Sequence, residues 1–229
     1  MSYTLGIGDR SYSSWSLRGW LAFAAFGIPV AVRCARLYTD ELPRLLADFA
    51  PARTVPALRL PEGGVVWDSL AIVETLAERH PEAGHWPTDP ALRAQARSLA
   101  AEMHSGFQAL RQNCPMNLRA SYADYNPPDD VRADLARIAA LWAAAQDRSG
   151  GPWLCGAYSA ADAFFAPVAS RIATYGLPVP APAQAYVAAH LAHPAFRAWR
   201  AEGLAEGPDQ PFYARPQLTP RAWPGAGPG

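Results

Sequence analysis

Residues 53–69 read Arg53-Thr54-Val55-Pro56-Ala57-Leu58-Arg59-Leu60-Pro61-Glu62-Gly63-Gly64-Val65-Val66-Trp67-Asp68-Ser69. Two short apolar runs, 57–60 and 65–67, flank Pro61-Glu62-Gly63-Gly64, a turn composition that predicts a β-hairpin. Asp68-Ser69 makes a helix cap, and Leu70, Val73 and Ala77 then fall on one face of a helix over 69–80. Upstream, Tyr3, Leu5 and Ile7 alternate with Thr4, Gly6 and Gly8, the period of a strand. Leu17, Trp20, Leu21 and Ala24 follow at helical spacing, and Gly27-Ile28-Pro29 stops that helix. Residues 30–37 alternate again, and a short helix is expected over 43–49. The order is βαβα, then ββα, with the first two strands parallel through a right-handed crossover.

Downstream the pattern changes. Residues 81–90, with Gly84 and three prolines, have the composition of a linker between domains. Beyond it the periodicity is helical. Leu92, Ala96, Leu99, Ala100, Met103, Phe107 and Leu110 predict one long helix. Val131, Leu135, Ile138, Leu141 and Trp142 predict a second, packed on the first as an antiparallel hairpin. A third begins at Ser159, where Ser159 and Asp162 form a capping-box pattern ahead of Phe164, Phe165 and Val168. Shorter helices are expected over 183–190 and 194–203. The division is therefore a domain over 1–80, a linker over 81–90, an all-helical domain over 91–206, and a Pro/Gly-rich tail over 207–229. That tail is expected to be extended or poorly ordered, with at most local packing by Phe212, Tyr213 and Trp223.

Composition removes several function classes. In 229 residues, Lys+Arg and Asp+Glu number 20 each, so the basic excess that nucleic-acid binders use is missing, as is any pull toward anionic lipid. All the basic residues are arginine, which excludes Schiff-base lysine chemistry and the phosphate-loop lysine. Cys34, Cys114 and Cys155 are odd in number and widely spaced, a usage that fits a reducing compartment and neither a zinc site nor a redox pair. The start carries no signal-peptide pattern and no apolar run spans a bilayer, so a cytoplasmic protein is expected.

A small βαβ-ββα domain joined to an all-helical one resembles the glutathione transferases, whose architecture is a thioredoxin-like α/β domain followed by an all-α domain. Four stretches carry the resemblance. Ser13-Ser14-Trp15-Ser16-Leu17-Arg18 is similar to the Ser-Ser-Cys-x-x-Arg run of the zeta class (maleylacetoacetate isomerase-like), and places Ser13 on the family's catalytic serine, with Ser14 as the alternative. A hydroxyl at a helix start can donate to a thiolate while the helix dipole stabilises the anion. The same serines also suit a plain N-cap. Trp15 stands where the zeta class has Cys, which puts isomerase activity in doubt. Arg53-Thr54-Val55-Pro56 looks like the family's Val-Pro pair with its cis proline. The resemblance implies that Val55 pairs with the cysteinyl backbone of glutathione and that Arg53 meets the glycine carboxylate. Trp67-Asp68-Ser69 matches the acidic-Ser pair, implying that Ser69 takes the γ-glutamyl carboxylate and Asp68 the ammonium. Ser159-Ala160-Ala161-Asp162 matches the capping box of the family's core helix, a structural role.

The resemblance implies glutathione as cosubstrate, no metal, a homodimer, and a detoxifying transfer of the thiolate to a small hydrophobic electrophile. That second substrate would sit between the domains, against Trp15, Met103, His104, Phe107, Gln108 and Arg111, with Gln112, Asn117 and Arg119 as further polar candidates. Glutathione-dependent isomerisation, peroxide reduction, and a non-catalytic binding protein on the same fold remain alternatives at this point.

Overall fold

The computed structural model describes residues 2–225. Its first half is a four-stranded mixed sheet in the order β2-β1-β3-β4, formed by β1 (Tyr3–Gly8), β2 (Val30–Ala35), β3 (Ala57–Arg59) and β4 (Val65–Trp67). β1 is central. It runs parallel to β2 and antiparallel to β3, with Leu5 opposite both Val32 and Leu58. The β3–β4 hairpin closes through the Leu60 N–H donating to Gly64 O at 3.1 Å, as the turn composition predicts. Helices α1 (Ser14–Ala24), α2 (Glu41–Ala47) and α3 (Ser69–Arg79) complete this half, so the layer is thioredoxin-like.

Two glycines show how closely its elements approach. A Cβ on Gly6 of β1 would lie 3.0 Å from the Phe49 ring, and one on Gly19 of α1 would lie 2.8 Å from both Cβ and Cγ of Pro56. Gly19 thus lets α1 lie directly against the segment that ends in Pro56. Since overpacking a filled core costs about 1–3 kcal/mol, Gly19→Ala is expected to lower the free energy of unfolding by that amount. A urea midpoint unchanged from wild type would contradict the close packing.

The second half is helical: α4 (Pro90–Ser105), α5 (Gln108–Asn113), α6 (Asp129–Ser149), α7 (Ala160–Tyr175), α8 (Ala181–Ala192) and α9 (Pro194–Ala205). Every residue of α7 is buried, which makes it the axis of the helical layer. It packs against α4 and α8 in this half and against α1 in the other, so one apolar core runs from β1 through α1 to α6, α7 and α9. No described helix is long and apolar enough to cross a membrane.

Three expectations are corrected. The single long helix is broken into α4 and α5: Gly106 is extended at φ −102°, ψ −169° and Phe107 is left-handed at φ 59°. A Cβ at Gly106 would lie 2.8 Å from Glu102 O, and the Asp134 carboxylate takes the free Leu110 N–H at 2.9 Å to start the new helix. The partner of α4 is chiefly α7, while α6 packs more on α5. The segment after residue 206 is docked, not merely extended. Gln210 is buried and donates to Asp9 Oδ2 and to Leu37 O, at 3.2 and 3.1 Å. Tyr213 stacks on Tyr12 at 4.4 Å between ring centroids. Arg221 donates to Ser121 Oγ and Ala173 O. Residues 226–229 of the expected tail lie outside the described residues.

Candidate functional site

A cleft of about 420 Å³ opens between the two halves, at the N-terminus of α1. Each wall comes from a different part of the chain: Tyr12–Trp15, Leu37 and Tyr38 after β2, Arg53–Val55 before β3, Arg111, Pro115 and Met116 around α5, Arg171 of α7, and Phe212 and Tyr213 from the C-terminal segment.

Ser13 is the N-cap of α1, and its Oγ accepts from Ser16 N at 3.3 Å while donating to Ser16 Oγ at 2.8 Å. Ser16 Oγ also accepts from Gly8 N at 3.0 Å. Ser14 Oγ accepts from Arg171 Nη2 at 3.3 Å, which leaves the Ser14 hydroxyl proton free to point elsewhere. Arg171 is fully buried and is anchored by Cys114 O and Pro167 O. Burial, then the charge of Arg111, bring its pKa down to about 10, so it stays protonated at neutral pH.

The cleft is lined by three guanidinium groups, from Arg53, Arg111 and Arg171, and, among the described residues, by no carboxylate. With the positive end of the α1 dipole beside them, these groups create a site where an anion is strongly preferred. Trp15 stands beside it with Arg111 over its ring at 4.4 Å and Arg18 at 4.7 Å. Arg18 is fully buried, donates through Nε to Phe164 O, and keeps both Nη atoms without a hydrogen-bond partner.

The Val55–Pro56 bond is cis, and Val55 and exposed Arg53 face the cleft. Asp68, Ser69 and His104 are not among its lining residues, but Asp68 reaches Trp15 of the cleft through His104. The His104 ring meets Trp15 edge-on at 5.1 Å, and its Nε2 is 3.3 Å from Asp68 Oδ2. Ser69 is buried at the start of α3 with an unpartnered Oγ, an acceptor-seeking hydroxyl that a ligand carboxylate would satisfy.

Of the residues expected to wall the second half, Trp15 and Arg111 do so. Met103 is wholly buried in the core, Phe107 is buried at the turn that starts α5, and Gln108 is exposed and bonded to Ser105 O. These three do not line the cleft. Asn117 and Arg119 hold the C-terminal segment, Asn117 through Tyr213 O and Arg119 through Asp209 and Gly203 O. Gln112 is exposed.

Arg171, Tyr12 and Tyr38 line the cleft without having been expected there, and Phe212 and Tyr213, expected only as local packing of the tail, wall it too. Arg171 had a signal: it is the only charged residue of α7 after Asp162, inside an otherwise apolar stretch, and such a charge stays buried only when something there uses it.

Residues 12–79 match the family profile of the glutathione S-transferase N-terminal domain. The chain carries that domain on the glutathione transferase fold. Among curated relatives, a probable maleylacetoacetate isomerase of Caenorhabditis elegans is 36% identical over 101 residues, 44% of this chain and 46% of the worm protein. The maleylacetoacetate isomerase of Pseudomonas aeruginosa is 34% identical over 113 residues, 48% of this chain and 52% of that protein. The chain thus spans about half the length of the curated relatives it matches. Over the whole fold, the maleylacetoacetate isomerase of Anaeromyxobacter dehalogenans, solved with dicarboxyethyl glutathione and citrate bound in its active site, superposes with a TM-score of 0.64 at 27% identity, covering 91% of this chain and 98% of that one. The serines, the cis proline and Ser69 all belong to the glutathione S-transferase N-terminal domain. Arg111, Arg171 and the aromatic wall belong to the helical half and the segment after it.

Proposed function

We propose that the protein is a glutathione transferase whose helix-terminal serine activates the thiol and whose arginine-lined half receives an electrophile bearing a carboxylate. The observation that carries this reading is the meeting, in one cleft, of the α1 N-terminal hydroxyls with three guanidinium groups and, among the described residues, no acidic residue. Glutathione satisfies the site from end to end: its glycine carboxylate at Arg53, its cysteinyl backbone along Val55, its γ-glutamyl group at Ser69 and Asp68, and its sulfur at Ser13 or Ser14. Arg53 is then used, and Arg111 and Arg171, whose hydrogen bonds go to backbone carbonyls and the Ser14 hydroxyl, are left in the cleft with no counter-charge. A wholly hydrophobic electrophile would leave both charges unanswered in a partly dry site, so an anionic one with a flat apolar portion fits better.

The thiolate adds to the β-carbon of a conjugated carbonyl, the C=C π pair moves to the carbonyl oxygen near the guanidinium groups, and a proton from solvent then converts the enolate to the thioether product. The maleylacetoacetate isomerases among the relatives favour a second reading on the same site. Addition, rotation about the new single bond, and elimination would return glutathione and an isomerised product. Trp15 carries no thiol, so in either reading the only nucleophile is the bound one. Cytosolic location, a homodimer, and a division into domains near 81–90 complete the proposal.

The test is an ultraviolet titration of the protein with reduced glutathione, followed by turnover on matched electrophiles. A bound thiol ionising at least about one unit below the free value near ~8.5 is expected, along with faster turnover of a carboxylate-bearing enone than of its methyl ester. Binding with no shift in ionisation would remove the transferase, and preference for the ester would remove the anionic substrate. Consumption of glutathione separates transfer from isomerisation.

A further inference from the structure

Asp68 has a left-handed backbone, φ 75°, unusual for a residue other than glycine. In that conformation its side chain serves two directions. Oδ1 accepts from Leu70 N at 2.8 Å and caps α3, and Oδ2 lies 3.3 Å from Nε2 of His104 in the last turn of α4. The His104 ring is half-buried and touches Trp15 edge-on at 5.1 Å, with Phe164 behind it at 6.1 Å. Its Nδ1 is buried with no hydrogen-bond partner. A neutral imidazole holds one proton, and only Nε2 faces an acceptor, so the tautomer that fits is Nε2–H directed at Asp68.

We propose that His104 is a positioning residue that holds the Asp68 carboxylate for the glutamyl ammonium of glutathione and at the same time braces the Trp15 ring, joining the two half-sites. This rests on the glutathione reading above. Asp68 is a short side chain committed to its own helix by one oxygen. A donor on the other oxygen fixes the plane of the carboxylate and leaves a lone pair of Oδ2 for the ligand.

The charged groups facing His104 are Asp68 from the start of α3, Arg18 from α1 and Arg111 from α5. Burial, then the two arginines, hold the imidazole below its ordinary pKa against the opposing pull of Asp68. The neutral form therefore prevails at neutral pH. On acidification the ring gains a proton, ion-pairs with Asp68, and sets a positive charge beside the place reserved for an ammonium. Glutathione affinity should fall as pH drops through the histidine's pKa, on the acid side of ~6.5.

The experiment is calorimetric titration of the full chain with S-methylglutathione, which removes thiol ionisation, between pH 5 and 7.5. Wild type is expected to bind more weakly as pH falls. His104→Gln, which keeps an N–H donor at similar reach and does not titrate, should bind like wild type at neutral pH and lose the acid limb. His104→Ala should bind about tenfold more weakly at neutral pH, the scale of one hydrogen bond to a charged group. An acid limb that persists in His104→Gln overturns the proposal, even if His104→Ala does not fold. Wild-type-like binding by His104→Ala overturns it also. A wild-type protein that does not bind S-methylglutathione at any pH overturns the glutathione reading along with it.

Discussion

Ser13→Ala should still bind glutathione but lower turnover by roughly 10²- to 10³-fold, the scale of losing one preorganised donor to a developing or stored anion. The Ser13 hydroxyl donates to Ser16 Oγ, which also receives the Gly8 N–H. When a thiolate arrives, the Ser13 proton can rotate to sulfur, and Ser16 Oγ keeps its second donor. A neutral hydrogen bond is exchanged for a charge-assisted one about twice as strong, so the exchange favours the thiolate. Without the hydroxyl, the bound thiol returns toward its free ionisation near ~8.5 and is mostly protonated at pH 7. The lost N-cap adds about 0.5–2 kcal/mol of destabilisation, so turnover has to be compared at a temperature where both proteins are folded. Ser14→Ala is the control. Its oxygen receives Arg171, and if its loss is the larger one, the sulfur belongs at Ser14. Wild-type turnover in both variants would sink serine activation altogether.

Asp162→Ala should cost about 3–5 kcal/mol of folding free energy through the several buried donors it orphans, a large share of the ~5–15 kcal/mol that a folded chain usually has. The carboxylate is fully buried and accepts from Leu154 N at 3.0 Å, Ser159 N at 2.9 Å, Ser159 Oγ at 2.9 Å and Tyr186 OH at 2.7 Å. Burial raises its pKa, and those four donors act in the opposite direction. Alanine would strand several of them in the interior, and each buried orphan costs about 1–3 kcal/mol. The expected readout is a large fall in urea midpoint and in soluble yield. A loss under about 1 kcal/mol would mean that the donors find other partners. Because α7 is buried along its whole length and carries Arg171 into the cleft, this cap acts on the site through the fold.

The parts of the molecule legible in the sequence are those set by local chemistry. The alternation of Tyr3, Leu5 and Ile7, the Pro61–Gly64 turn and the Ser159–Asp162 box each fix their own backbone, whatever packs on them. The break between α4 and α5 was hidden because Met103, Phe107 and Leu110 continue the helical spacing straight through it. Only Gly106 hinted at an interruption, and the Asp134 carboxylate that restarts the helix comes from 24 residues away. The cis bond before Pro56 was accessible only through family resemblance, since the residues themselves favour trans. The segment after 206 was misjudged for another reason. Its composition averages to weak packing, while its anchoring depends on individual residues, Gln210 on Asp9 and Tyr213 on Tyr12, that an average does not register. The same limit hid the cationic character of the cleft. Arg53, Arg111 and Arg171 are far apart in sequence and meet only after the two halves close on each other.

The docked segment also sets an order of events during synthesis. Ser13 and Tyr213 are 200 residues apart (213 minus 13), so at ~5–20 residues per second the ribosome delivers the serine roughly 10–40 s before the tyrosine that walls its cleft. Within that interval the sheet and α1 can assemble as their residues emerge, but the groove above the serines stands open on the Tyr12 side. Enclosure of the cleft is therefore a late, translation-timed step, completed when Gln210 reaches Asp9.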